Sequence, residues 1–476
     1  MKFEIEKLEA FLQDFAEQKQ VPGMSVCVNG PEGSIYKKGF GFCDAERTQP
    51  ADPDTIYGIG STTKNFVCTC LAILESEGKL SFRDPVCKYF PALKVPGTPR
   101  ESLLLWHLAT MTSGFPPLPP LLMSLMHHSE PMPRVGSAEI EMGRKMIPFP
   151  MDTIEEVINF ISNNSAYYDM LGAPGEYMSY FNDGYALLSA VVEIVSGLPL
   201  GQFAHARIFA PLGMTRTTFD TDAAKAMGNI TSLFNPENGG IACTDVWPAA
   251  PPFDGAGFLK SSVEDLSKYF EMLACGGIFR GKRILPEGCV ARLCGREFPE
   301  TAELTYCCGL MKRVFRDVVI CEHLGSITGV SSISGFFKDK GYSASVLMNL
   351  TNVNSNIPLN AVYNMLLGLP IETSHAASMP QGDAPEKPGM YVGTYISIEP
   401  IPPSEIQVTM DENGALYMEE NGIKGKLLFC DKTTFIYDDG KETLEYCPRV
   451  TFYVRNGKAW GLHHVFRMFR RDISVN

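Results

Sequence analysis

Ser61-Thr-Thr-Lys64 sets a hydroxyl and an amine three residues apart at the opening of a segment with helical spacing, and on a helix that spacing brings both onto one face. A lysine beside a serine can act as its base when the amine is partly desolvated or close to other positive charge, and the helix dipole favours anionic character on the serine oxygen. The same pattern also serves as a plain helix cap, so taken alone it does not single out catalysis. Tyr180-Phe181-Asn182 sits just before a second helical segment; its phenol can relay a proton, and its amide offers a donor and an acceptor. His323-Leu324-Gly325 follows the strand-like run RDVVICEH. Glycine there permits close backbone approach to a bound molecule, whereas a histidine at a strand end is ordinarily a structural hydrogen-bonder.

Positioning these residues requires a framework, and the sequence outlines one. Residues 61–77 carry Phe66, Cys70, Leu71 and Leu74 at helical spacing and stop at Gly78. MSVCVNGPEGSIYKKGFGFC, residues 24–43, reads as a β-hairpin around Gly-Pro-Glu-Gly. Leu8, Leu12 and Phe15 give the amino-terminal segment an apolar helical face. Further helices are expected at 153–163, 184–196 and 262–275, and strands at 314–322, 331–338 and 342–350. The expectation is an α+β architecture, a helix-covered antiparallel sheet in which the early hairpin joins the later strands. Residues 115–150, rich in Pro, Met and His, read as an irregular insertion and a lid whose Met123, Leu125, Met126, His127 and His128 overhang the site, or else as a plain surface excursion.

Residues 369–388 are dense in Pro, Ser, Ala and Gly and read as a linker, which makes 1–368 a self-contained catalytic domain and 389–476 a second one. In that tail, eight short runs, YVGTYIS, EIQVTMD, ALYMEE, KGKLLFC, TTFIYDD, TLEYCP, VTFYVRN and VFRMFRR, point to a small antiparallel β-barrel. His463 and His464 look like a metal pair, but neighbours on a strand face opposite sides, which favours packing or exposure.

Acidic residues outnumber basic ones 54 to 41, a net charge of -13 that opposes capture of nucleic acid or an anionic membrane. No run reaches the roughly 20 apolar residues of a membrane span, and the first residues lack a signal-peptide core, so a cytoplasmic chain is expected. The 14 cysteines lack CxxC or Cys/His spacing and are expected as buried thiols; no metal or other cofactor is called for.

Taken together, SxxK at Ser61, YxN at Tyr180 and HLG at His323 resemble the penicillin-recognising serine hydrolases: class C β-lactamases, D-Ala-D-Ala carboxypeptidases and related esterases and D-aminopeptidases. TIYGIGSTTK, LLLWHLATMTSGF, PGEYMSYFNDGYALLSAVVEIVSG, GFLKSSVEDLSKYF and EHLGSITGVSS are similar to that family's successive signature stretches, covering roughly residues 5–367. The resemblance implies a class C β-lactamase-like domain followed by a lipocalin-like barrel. It implies Ser61 as acylated nucleophile, Lys64 as its proton acceptor or the tuner of Tyr180, and Tyr180 as acid/base. Asn182 would bind the acyl-side amide, and the backbone N–H groups of Ser61 and Ser326 would form the oxyanion hole beside His323 and Gly325. The chain departs from the family at His323, where a lysine is usual, and at Phe181. A mostly neutral imidazole provides no fixed cation for a substrate carboxylate, so short peptides with D-residues or small acyl esters are expected ahead of β-lactams and D-Ala-D-Ala stems. A homo-oligomer is compatible with this reading, and so is a structural protein that keeps the fold without turnover.

Overall fold

The strand Gly23–Gly30 is buried along its whole length, and the two-residue period of a strand explains how. Met24, Val26 and Val28 join an apolar core with Leu8, Leu12 and Phe15 of the helix Ile5–Gln18 and with Leu359 and Val362 of the helix Asn356–Leu366. Ser25, Cys27 and Asn29 alternate with them, and the Asn29 amide donates to the Ser267 carbonyl of the helix Val263–Ala274 at 3.0 Å. In this computed structural model residues 3–129, 150–163, 168–237, 239–295, 305–376, 379–381, 385–397 and 404–472 are described.

The sheet has seven antiparallel strands in the order Gly33–Gly41, Gly23–Gly30, Tyr342–Met348, Val330–Phe337, Val318–Ile327, Met311–Phe315 and Thr305–Tyr306. The early hairpin closes onto the late strands, as Val26 pairs with Val346 and Val346 with Ile333. One expectation needs correcting: the run 314–322 is not a single strand. A turn at Arg316, whose φ is 54°, divides it between Met311–Phe315 and Val318–Ile327.

Contacts within the chain divide it into two compact units, Met1–Asp84, His127–Pro133 and Tyr185–Thr373 in the first and Pro85–Met126, Arg134–Gly184 and Ser374–Asn476 in the second. The first holds the seven-stranded sheet. The second holds a closed eight-stranded barrel, Gly393–Ser397, Ser404–Met410, Leu416–Glu420, Ile423–Asp431, Thr434–Asp438, Arg449–Arg455, Lys458–His464 and Arg467–Arg471. Its interior is aromatic and aliphatic, with Tyr391, Tyr395, Phe435 and Phe452 edge-on or tilted against one another. TLEYCP is a turn region rather than a strand, and Lys458–His464 takes the eighth place.

Phe115 through Pro120 are buried, with Phe115 stacked on Phe181 at 4.7 Å, so this part of the expected excursion is core. Pro120–His128 is a helix, where Pro120 occupies the first position, at which its missing N–H costs nothing. Met123 and Met126 are buried, while His127 and His128 are exposed. The remainder of that stretch, 130–149, lies outside the described residues.

Candidate active site

The backbone leaves the short strand Tyr57–Gly58, which pairs with Lys260–Ser261, and turns through a single 3₁₀ turn, Gly60–Thr62, into the helix Thr63–Ser76. Ser61 therefore stands at the mouth of that helix. Gly60 is required here on two counts. Its φ is +51°, and a Cβ on it would lie 2.6 Å from the Ser326 nitrogen. Gly325 is equally constrained, since a Cβ there would lie 2.0 Å from the Ile59 carbonyl oxygen. The strand Val318–Ile327 is thus laid against the Ser61 turn by two glycines. The Thr62 hydroxyl fastens it by donating to the His323 carbonyl at 3.0 Å, and the Ser332 hydroxyl of the adjacent strand Val330–Phe337 donates to the Ile59 carbonyl at 2.8 Å.

The helix behind Ser61 is anchored from the far side. The Phe66 ring stacks on Tyr269 at 4.0 Å, and the Tyr269 hydroxyl bonds the Asn65 side chain at 2.6 Å and the Thr69 hydroxyl at 2.7 Å. Every residue from Thr63 to Leu74 is buried, so the Ser61 turn rests on a rigid element.

Lys64 has 0% of its surface exposed. Its ammonium donates to the Ser61 hydroxyl oxygen at 3.2 Å and to the Ala256 carbonyl, and it lies 5.3 Å from the centroid of the Tyr185 ring. A buried ammonium is tolerable only when its donors are satisfied and a π-face or dipole offsets the lost hydration. Tyr185 in turn bonds Cys68, one turn along from Lys64, at 3.4 Å.

His323 is also 0% exposed. Its Nε2 lies 2.8 Å from the Tyr306 hydroxyl and its Nδ1 2.5 Å from the Leu324 carbonyl. A carbonyl only accepts, so Nδ1 carries the proton and Nε2 accepts from tyrosine. Burial, and then the nearby charge of Lys64, push its pKa down from 6.5 to about 3, although the bond to Leu324 opposes this. The ring is neutral.

The first unit therefore brings together Ser61, Lys64, His323, Gly325 and Ser326, with Ser326 exposed and Ser61 half-buried. Tyr180 and Asn182 belong to the second unit. There the Tyr180 N–H donates to the Phe466 carbonyl at 2.7 Å, the Phe181 N–H contacts the Met111 sulfur at 3.3 Å, and Asn182 begins the helix Asn182–Ser196. Three contributors escaped the sequence reading: Tyr306, Tyr185 and the Ala256 carbonyl. A main-chain oxygen carries no side-chain signature, Tyr306 lies outside the quoted stretches, and Tyr185 sits inside one without belonging to the YxN triplet. Of the cysteines, all but Cys87, Cys243 and Cys275 are buried, and all are free thiols. His464 is buried with Nε2 3.4 Å from Glu420, while His463 is half-buried on the other face of the same strand.

Among the described residues no single helix is long and apolar enough to cross a membrane. The Beta-lactamase family description matches residues 8–367. A β-lactamase of Escherichia coli is 24% identical over 255 residues, 54% of this chain and 57% of its own length. The chain spans about half the length of the curated relatives it matches. Among solved structures, the octameric penicillin-binding protein homologue from Pyrococcus abyssi superposes with a TM-score of 0.67 at 24% identity, covering 98% of this chain and 100% of that one. The D-amino acid amidase from Ochrobactrum anthropi superposes with a TM-score of 0.59 at 21% identity, over 76% of this chain and 98% of that one. With three-quarters of the chain matched in one continuous stretch that includes SxxK, YxN and HLG, the protein belongs to the Beta-lactamase family.

Proposed function

We propose that the protein is a serine hydrolase that works through an acyl-enzyme on Ser61, with a small amide or ester as substrate and short D-amino-acid amides leading. The observation that carries this reading is the 3.2 Å contact between the Ser61 hydroxyl and the side-chain nitrogen of Lys64, which has no exposed surface. In the reading, Ser61 Oγ attacks the carbonyl carbon and loses its proton either to Lys64 in its neutral amine form or to Tyr180 tuned by the charge of a protonated Lys64. The backbone N–H groups of Ser61 and Ser326 receive the developing oxyanion, a role supported by the close approach of Gly60 to the Ser326 nitrogen. The acid form of the same relay protonates the leaving amine or alcohol. Water, deprotonated in turn, then attacks the acyl carbon and releases Ser61. Asn182 holds the acyl-side amide.

Substrate class follows from His323. A neutral, fully buried imidazole provides no permanent cation for a free carboxylate, so an amide, ester or neutral group is favoured opposite it. The D-amino acid amidase with which this chain shares its fold gives that substrate class its place at the head of the list. The test is kcat/KM for D-alanine amide, a para-nitrophenyl ester and a cephalosporin. D-alanine amide should exceed the cephalosporin by at least about tenfold; a cephalosporin turned over faster than both others contradicts the substrate assignment.

A further inference from the structure

Three of the barrel's two-residue turns invite comparison. Asn421-Gly422 joins Glu420 to Ile423, with φ of 51° and 75°, and Asn456-Gly457 joins Arg455 to Lys458, with φ of 52° and 73°. Both use the Asn-Gly pair that suits positive φ at two successive positions. The third joins His464 to Arg467 with φ of 44° and 68°, yet its two residues are Val465 and Phe466. A β-branched residue and an aromatic one in the left-handed region are strained, and such strain persists where the surroundings over-determine it. Val465 is 52% exposed, so burial in the barrel core does not explain its presence.

What surrounds this tip is the YxN loop. The Phe466 carbonyl accepts from the Tyr180 N–H at 2.7 Å, and the Ser179 hydroxyl accepts from the Met468 N–H at 3.2 Å. The Phe466 ring lies 6.4 Å from the Tyr180 ring, and the Arg467 guanidinium stands 5.7 Å from its centroid. The approach is fixed further out by Arg470 on Asp169 at 3.1 Å and by Arg455 on the Tyr177 hydroxyl at 2.7 Å, with Tyr177 edge-on to Tyr453 and Trp460.

We propose that the hairpin tip Val465, Phe466 and Arg467 is a positioning device for Tyr180, holding its backbone through the Phe466 carbonyl and keeping a permanent cation against its ring. This deepens the hydrolase reading and rests on it. A cation on the π-face favours the ring's electron-rich, anionic form, and the tip keeps the conformation that aims it in spite of unfavourable local backbone geometry.

The test installs the barrel's own alternative turn in the full-length protein, Val465→Asn/Phe466→Gly, and separately makes Arg467→Gln and Arg467→Lys. The Asn-Gly variant should melt at or a few degrees above wild type, because the strain is gone. Its kcat on para-nitrophenyl acetate should nevertheless fall about tenfold or more, with KM changed less, because the variant keeps the main-chain carbonyl and Arg467 but removes the Phe466 ring that helps hold the Tyr180 ring in place. Arg467→Gln should lose kcat by about tenfold and Arg467→Lys should keep it within about threefold, since the charge is retained. A lower melting point for the turn variant, a kcat within about twofold of wild type, or equal losses in both Arg467 variants overturns the proposal. Wild-type labelling of Ser61 by a fluorophosphonate is measured first. Its absence overturns the hydrolase reading itself, and this inference with it; its presence with unaffected variants overturns the inference alone.

Discussion

Lys64 and His323 share one buried neighbourhood, and they differ in what each can reach. Lys64 has the Ser61 oxygen, the Ala256 carbonyl and the Tyr185 face for its ammonium. His323 has one donor and one acceptor already matched by Leu324 and Tyr306, and a second proton is opposed by burial and then by the charge of Lys64. Lys64→Ala should therefore lower kcat/KM by about a thousandfold or more, and Ser61→Ala/Lys64→Ala should be hardly worse than Ser61→Ala, as steady-state kinetics would show. For His323 the consequence is in stability. The unfolded imidazole binds a proton below its ordinary 6.5, whereas the folded one resists down to about 3, so stability is lost as pH falls through that interval at about 1.4 kcal/mol per pH unit. Urea midpoints at about pH 7 and about pH 4.5 should differ less for His323→Gln than for wild type; equal differences would show that His323 is not the group excluded. The Ser61–Lys64 pairing was legible from spacing alone. The neutral state of His323 was expected from its ordinary pKa, but its burial and its tyrosine partner were not, because Tyr306 arrives from a separate strand.

At the scale of elements, the Ser61 turn depends on two strands and a helix meeting without Cβ atoms between them. Gly325→Ala would drive a methyl group into the Ile59 carbonyl at 2.0 Å, so fluorophosphonate labelling of Ser61 should slow by about a hundredfold or more in whatever protein remains folded, the turn having shifted. Labelling at the wild-type rate would mean that the strand can move away freely. Periodic elements were readable: Leu8, Leu12 and Phe15 mark their helix, and the early hairpin and the late strands share one sheet. Elements whose signals conflict were not. KAWGLHH has a glycine and no clean alternation yet forms a barrel strand, TLEYCP alternates yet turns, and Val465-Phe466 lacks any turn residue yet reverses the chain. The helix Pro120–His128 hid behind its prolines, though Leu and Met after a first-position proline are sound helix formers.

For the whole molecule, the expected units were 1–368 and 389–476, whereas contacts group the barrel, whose first strand starts at Gly393, with Pro85–Met126 and Arg134–Gly184. Composition marks a Pro-rich stretch but is blind to which earlier segments the chain beyond it will contact. Because Arg455, Phe466, Met468 and Arg470 hold the loop from Asp169 to Tyr180, deleting 389–476 should leave Ser61 open to labelling while cutting turnover by about tenfold or more, measured on the same preparation. The proposed hydrolysis requires Ser61 to be the acylated residue. Intact mass spectrometry of the full chain after exposure to a fluorophosphonate, followed by peptide mapping, tests it most directly. The expected result is a single adduct on the peptide containing Ser61, absent from Ser61→Ala; no adduct, or one at another serine that persists in Ser61→Ala, would contradict it.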